Sequence, residues 1–181
     1  MNMATKKTRD MVYIGMCSIL IAICSWISIP ATVPFTLQTM AVFSAVGILG
    51  GKRGSLAVLI YILLGALGIP VFSGFSGGMG VLLGTTGGYI FGFLFSALLM
   101  WGMECIWGKN RRVLLLSMIL GLLVCYVIGT AWFMMVYTRT GNPVSIPMVL
   151  GWCVLPFIVP DCIKIAVAML LSERIRRAVQ I

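Results

Sequence analysis

Asp161 and Lys164 stand three residues apart in "VPDCIKIAVAMLL" (159–171), at the head of an otherwise apolar run. On a helix that spacing places both side chains on one face. Charges are costly in hydrocarbon, and those that occur there usually mark a substrate or ion pathway. An ammonium suits a carboxylate-bearing ligand, while the aspartate could accept from ligand N–H groups and hold the lysine. The same residues admit a plainer reading. Pro160 fits a first helical turn, where its missing N–H costs nothing. Asp161 would then sit beside the positive end of the helix dipole and cap the helix start. The residues alone leave both readings open.

A second candidate is the segment "VFSGFSGGMGVLLGTTGGY" (71–89), too rich in glycine for a continuous helix. Gly74, Gly77, Gly78 and Gly80 would let backbone N–H and C=O groups approach a ligand closely. No Gly-Lys-Ser/Thr ending follows, so it is not a phosphate-binding loop. An external loop or glycine-mediated helix packing is the alternative. Phe35, Phe72, Phe75, Tyr89, Tyr126 and Trp132 fall in outer loops or on spans that could face them, although such aromatics more often pack or sit at an interface. Gln38, after "PFTL", could read ligand hydrogen bonds or cap a helix.

These residues need elements to hold them, and composition sets the class. The chain has 181 residues, 61% hydrophobic and 9% charged, with a mean hydropathy of +1.12. A soluble surface needs more polar side chains, so the expectation is an all-α, polytopic membrane protein forming one domain over 1–181. Residues 1–10 read as a tail. Six spans are expected at about 11–29, 37–50, 54–69, 86–107, 112–137 and 160–178, judged against the roughly 20 apolar residues that cross a bilayer. The N-terminal apolar run resembles a signal peptide but lacks an A-x-A-like cleavage site, which favours a first transmembrane helix. Residues 138–147, "TRTGNPVSIP", read as a polar turn, and a short helix or re-entrant piece is expected before the last span. Spans 2 and 3 are short, and non-helical backbone at membrane depth persists only inside protein or along a cavity.

Eleven of the thirteen cations fall on one side: Lys6, Lys7, Arg9, Lys52, Arg53, Lys109, Arg111, Arg112, Arg174, Arg176 and Arg177. Arg139 alone falls on the other, and Lys164 lies within the last span. The positive-inside rule then places both termini in the cytoplasm. The +9 charge is thus distributed as in a membrane protein, and no basic face remains for nucleic acid. Six cysteines without ligand spacing and the absence of histidine argue against disulfides, a metal site or a resident cofactor. The acids are Asp10, Glu104, Asp161 and Glu173, too few and too scattered for a paired-carboxylate enzyme. There is no Walker motif and no channel filter. In helix 1, Gly15, Ser18 and Ala22 form a small-residue strip on which a partner helix could dock.

The stretches "VPFTLQTMAV", "GGKRGSLAVLIYILLGALGIPVFSGFSGGMGVLLGTTGGYIFGF" and "LPFIVPDCIK" closely resemble the BioY family, from about residue 11 to the C-terminus. These are the biotin-specific substrate-binding (S) components of energy-coupling factor (ECF) transporters. The resemblance implies a compact six-helix bundle in the bacterial cell membrane, with an outward-facing biotin pocket closed by the loops after helices 1 and 3. It implies that the Gly-rich segment, Tyr89, Asp161 and Lys164 line that pocket. It also implies that Ser18 and Ala22 dock on a transmembrane T component, with two cytoplasmic ATPases completing the complex. Ser18 stands where the family's helix-1 motif usually has alanine, which leaves the register open. Lys164 would meet the biotin carboxylate; Asp161, glycine-loop backbone and Gln38 would meet the ureido group; Phe35, Tyr89 and Trp132 would meet the apolar body. The opposite orientation of biotin stays open. An S component for another vitamin, or a scaffold that binds only partner helices, are the rival expectations.

Overall fold

The computed structural model of the chain describes residues 3–139 and 145–179. Helix α1 (Met3–Trp26) leads into a small hairpin of β1 (Ser28–Ile29) and β2 (Phe35–Thr36). Then come α2 (Gln38–Leu49), α3 (Gly51–Ala66), a 3-10 turn (Ser73–Phe75), α4 (Met79–Leu82), α5 (Gly87–Trp107), α6 (Arg111–Arg139), α7 (Ile146–Cys153) and α8 (Leu155–Val179). Among the described residues, four stretches are long and apolar enough to cross a membrane: Thr5–Trp26, Gly87–Trp107, Arg111–Arg139 and Ile146–Ala178.

Helices stand at all six expected stretches, but α2 and α3 have only 12 and 16 residues. At 1.5 Å per residue they rise about 18 and 24 Å, less than the roughly 30 Å hydrocarbon core. Helix α2 is buried along nearly its whole length, from Gln38 to Leu49. A helix that is apolar all round belongs inside a core, and α2 packs against α1, α3, α5 and α8. The lipid-facing surface is supplied by its neighbours, whose exposed residues include Ile19, Leu63, Phe95, Leu123 and Leu170.

Several boundaries move for identifiable reasons. Helix α1 takes in most of the expected tail, because Asp10 of its first turns pairs with Arg53 of α3 at 2.7 Å. It stops at Trp26 because the residue before a proline favours extended backbone; the chain around Pro30 pairs instead as a hairpin, Ser28 with Thr36 and Ile29 with Phe35. Helix α8 starts at Leu155, so Pro156 occupies the first turn and Pro160 lies inside the helix. The expected helix start at Pro160, and with it the capping role for Asp161, is therefore replaced by a position two turns into α8. Val154 (φ −126°, ψ −57°) makes the kink between α7 and α8, the piece expected before the last span. Of the polar turn 138–147, residues 140–144 lie outside the described residues.

Helices α5 and α6 meet along a seam built from Gly88, Gly92 and Ser96, three small residues at four-residue spacing. A Cβ at Gly88 would stand 2.2 Å from Trp132 Cβ, and one at Gly92 3.1 Å from Cys125 Cα. Ser96 donates its hydroxyl to the carbonyl oxygens of Gly92 and, across the seam, Gly121. Such small-xxx-small strips let transmembrane backbones approach closely.

The cation-rich end is stapled by carboxylates. Besides Asp10–Arg53, Glu104 of α5 lies 3.2 Å from Lys109, and Glu173 of α8 lies 2.7 Å from Arg111 of α6. Glu104 also accepts the Gly51 N–H at the start of α3, capping that helix from a neighbour.

Gly88→Val should lower stability by about 3 kcal/mol, since overpacking against backbone-fixed neighbours is poorly relieved. Gly102→Ala, with nothing within 4 Å of the new methyl, should be neutral or slightly stabilising. Thermal unfolding of both variants in detergent checks the contrast.

Candidate ligand-binding cavity

At the end opposite the cation-rich turns, the shortness of α2 and α3 leaves a cavity of about 110 Å³ that opens to the surface. Its wall is assembled from separate elements: Val33, Pro34 and Thr36 of the hairpin, Gln38 and Thr39 at the head of α2, Phe72, Ser73 and Ser76 around the 3-10 turn, Val81 of α4 and Thr86 before α5, and Tyr89, Ile90 and Phe93 in the first turns of α5. Leu122, Cys125 and Tyr126 of α6, Cys153 of α7, and Phe157, Asp161 and Lys164 of α8 complete it. The α8 residues follow i, i+4, i+7 spacing, one face of a helix.

Lys164 and Asp161 are almost sealed from solvent, their side chains 6% and 4% exposed, with Lys164 Nζ donating to Asp161 Oδ1 at 2.7 Å. Tyr126 donates its hydroxyl to the other oxygen, Oδ2, at 2.6 Å. The ammonium also lies 3.9 Å from the centroid of the Phe35 ring, a cation–π contact. Phe35 is held in turn by stacking on Phe157, 6.0 Å between centroids. Each carboxylate oxygen thus has a donor. The ammonium has one acceptor and one ring, which leaves donor capacity toward the cavity. Removing one member of such a pair strands the other charge, typically at about 3–5 kcal/mol.

Gln38 donates from Nε2 to the Tyr61 hydroxyl at 2.9 Å, which fixes its amide across the wall. Its backbone N–H is received by Thr36 Oγ1 at 3.3 Å, so Thr36, not Gln38, serves the start of α2. Tyr89 lies on Gly129, whose hypothetical Cβ would stand 2.2 Å from Tyr89 Cδ1, and its hydroxyl pairs with Thr130 at 3.2 Å.

The structure brings Gln38, Tyr89, Tyr126, Asp161 and Lys164 to one cavity, with Phe35 behind the ammonium. It places the others elsewhere. Trp132 donates its indole N–H to the Gly84 carbonyl at 2.9 Å and packs on Phe91. Phe75 is exposed, in the left-handed region (φ 54°), and stacks on Trp26 at 5.0 Å. Gly74, Gly77, Gly78 and Gly80 do not line the cavity. Gly74 and Gly78 provide positive-φ corners (70° and 92°) that L side chains rarely adopt, and Gly77 lies close to the Ile69 carbonyl. Their service is to fold the segment back over α3, where Phe72 enters the core: a Cβ at Gly65 would stand 2.0 Å from its ring.

The small strip of helix 1 also differs from expectation. Ser18 and Ala22 are buried, and the Ser18 hydroxyl donates to the carbonyls of Ile14 and Ala57. The strip therefore receives α3 of the same chain, and of the three residues only Gly15 keeps open space beside it.

Thr36, Thr39, Phe93, Cys125, Cys153 and Phe157 line the cavity without having been singled out. Phe157 carried a readable signal, being four residues before Asp161 on the same face. The others needed the tertiary fold.

A family model described as the BioY family matches residues 1–181. The chain belongs to the BioY family. A biotin transporter BioY of Thermotoga maritima is 38% identical over 170 residues, covering 93% of this chain and 96% of that protein. A probable biotin transporter BioY of Pyrococcus horikoshii is 44% identical over 145 residues, covering 80% and 81%. Among solved structures, the S-component for biotin from an ECF-type ABC transporter superposes with a TM-score of 0.81 at 27% identity, covering 98% of this chain and 95% of that one. BioY proteins are transport subunits rather than enzymes, and this member is a multi-pass membrane protein with the S-component fold.

Tyr126→Phe should cost about 1.5–3 kcal/mol, the range for a hydrogen bond to a charged group, with the apolar wall intact. Lys164→Met alone should destabilise more than the pair Asp161→Asn with Lys164→Met, because only the single variant strands a buried carboxylate. Melting temperatures of the three in one detergent check the order.

Proposed function

We propose that this protein is the biotin-binding S component of an ECF-type transporter and that the cavity around Asp161 and Lys164 receives the vitamin. The observation that carries this reading is the sealed Tyr126–Asp161–Lys164 set, directed at an apolar cavity in a BioY chain. Biotin has one carboxylate, a ureido group that donates and accepts, and an apolar body. Lys164 supplies the cation for the carboxylate, its remaining N–H groups facing the cavity. Asp161 keeps unused lone pairs for ureido N–H groups, and Thr36, Gln38 and Thr39 offer polar contacts from the hairpin and the head of α2. Tyr89, Phe93, Phe72 and Phe157 enclose the bicycle. Tyr126 and Phe35 act as positioning residues, one orienting the carboxylate and the other the ammonium.

Both termini are assigned to the cytoplasm on the cation count, which opens the cavity to the outside. The six helices α1, α2, α3, α5, α6 and α8 form the membrane bundle, the short α2 and α3 being completed at the outer end by the segment over the cavity. Release inward would be driven by two ATPases through a T component. The side of α1 offered to that component is the exposed stripe of Met16, Ile19 and Ile23 beside Gly15, since α3 already covers Ser18 and Ala22.

Equilibrium binding of biotin to detergent-purified protein tests the reading, with mass spectrometry of any co-purified small molecule. Tight one-to-one binding is expected, weakened roughly 100-fold by Lys164→Ala, in line with the loss of a buried charge partner. A folded protein that binds no biotin, or carries a different vitamin, would overturn it; folded Lys164→Ala and Asp161→Asn variants with unchanged affinity would remove the pair from the site.

A further inference from the structure

At the cation-rich end, an open groove of about 330 Å³ lies between the turn joining α2 to α3 and the last turns of α5. Leu49, Gly50 and Gly51 line it beside Lys52, Arg53 and Lys109, with Trp101, Glu104 and Cys105 opposite. The three cations exceed the single carboxylate. Arg53 is turned toward Asp10 at 2.7 Å, and Glu104 divides its oxygens between Lys109 and the Gly51 N–H. Lys109 is nevertheless well exposed, its side chain 62% accessible. Among the described residues Lys52 has no ion pair and is exposed.

The groove does not end in water on every side. Lys52 heads the face of α3 that continues through Leu56, Leu59 and Leu63, all exposed, at helical spacing. On α5, Cys105 and Trp101 continue into exposed Leu98 and Phe95. Helices α3 and α5 pack on one another, so the two apolar stripes run side by side from the cations into the hydrocarbon band. A cationic pocket, an aromatic at its rim and an apolar track below match an amphiphile with an anionic head. Basic pockets between transmembrane helices have this chemistry for phospholipid head groups, and tryptophan favours the same depth.

We propose that this groove binds an anionic phospholipid, its phosphate between Lys52 and Lys109 and an acyl chain along Leu56, Leu59 and Leu98. Native mass spectrometry of the detergent-purified protein, titrated with phosphatidylglycerol or phosphatidylcholine of identical chains, tests it. The expected result is about tenfold greater retention of phosphatidylglycerol. The double variant Lys52→Ala with Lys109→Ala should bring it down to the phosphatidylcholine level. Arg174→Ala with Arg177→Ala removes the same charge from exposed positions at the same end and should leave retention unchanged. Should the double variant at the groove fold poorly, Lys52→Gln alone, at an exposed site, should still lower retention several-fold. Equal retention of the two lipids by the unaltered protein would overturn the proposal. So would equal losses in both double variants, or displacement of the lipid by millimolar inorganic phosphate. Biotin binding measured on the same preparations should be unchanged, so the groove and the cavity are tested separately.

Discussion

An ammonium and a carboxylate can be kept out of water inside an apolar bundle only when each finds partners that replace its hydration. Lys164 and Asp161 meet that condition through groups from three places in the chain: each other on α8, Tyr126 on α6, and Phe35 on the hairpin after α1. The architecture around them follows from the requirement. Helix α8 must extend back past Pro160 so that Phe157 can support Phe35. Helix α6 must turn Tyr126 inward, and the hairpin must fold over the top. A shift of α6 or of the hairpin would remove a partner from one of the two charges, which ties the placement of both elements to the pair.

Two length mismatches create the space that the pair faces. Helices α2 and α3 are too short to span the hydrocarbon alone, while α6, with 29 residues, is about 43 Å long. The vacant depth is occupied by non-helical chain, which hydrogen-bonds to itself and to the adjoining helices: Phe72 and Ser76 to one another, Gly78 N–H to the Gly65 carbonyl of α3, and the Ser25 hydroxyl of α1 to the Val71 carbonyl. This is how irregular backbone survives at membrane depth. The tight α5–α6 seam gives the long helices a rigid frame against which that cap is held.

Much of this was legible from composition and spacing. Helices α5 and α6 fall within two residues of their expected bounds, because charged and glycine turns bracket unbroken apolar runs. The shared face of Asp161 and Lys164 follows from spacing alone. Other features depended on information that one strand of sequence does not carry. Two prolines in five residues read as a break, yet Pro156 sits in the first turn of α8 and Pro160 costs one ladder bond within it. Spacing shows that Ser18 and Ala22 share a face but not that α3 is the neighbour. The glycines of 74–80 were readable as backbone freedom, but whether that freedom serves a ligand or a fold-back is decided by Phe72 reaching the core. The cavity wall comes from several elements, and their convergence is tertiary.

The lysine and aspartate on α8 form an ion pair, so their opposite charges cancel within the site. A ligand bearing one carboxylate therefore brings its charge in without a spare countercharge to absorb it, and the loaded site carries a net −1. Moving one elementary charge across a membrane is worth about 2.3 kcal/mol per 100 mV. A neutral pair makes the energetics of any inward passage depend on voltage through the cargo, whereas an isolated lysine would have transferred that dependence to the empty return.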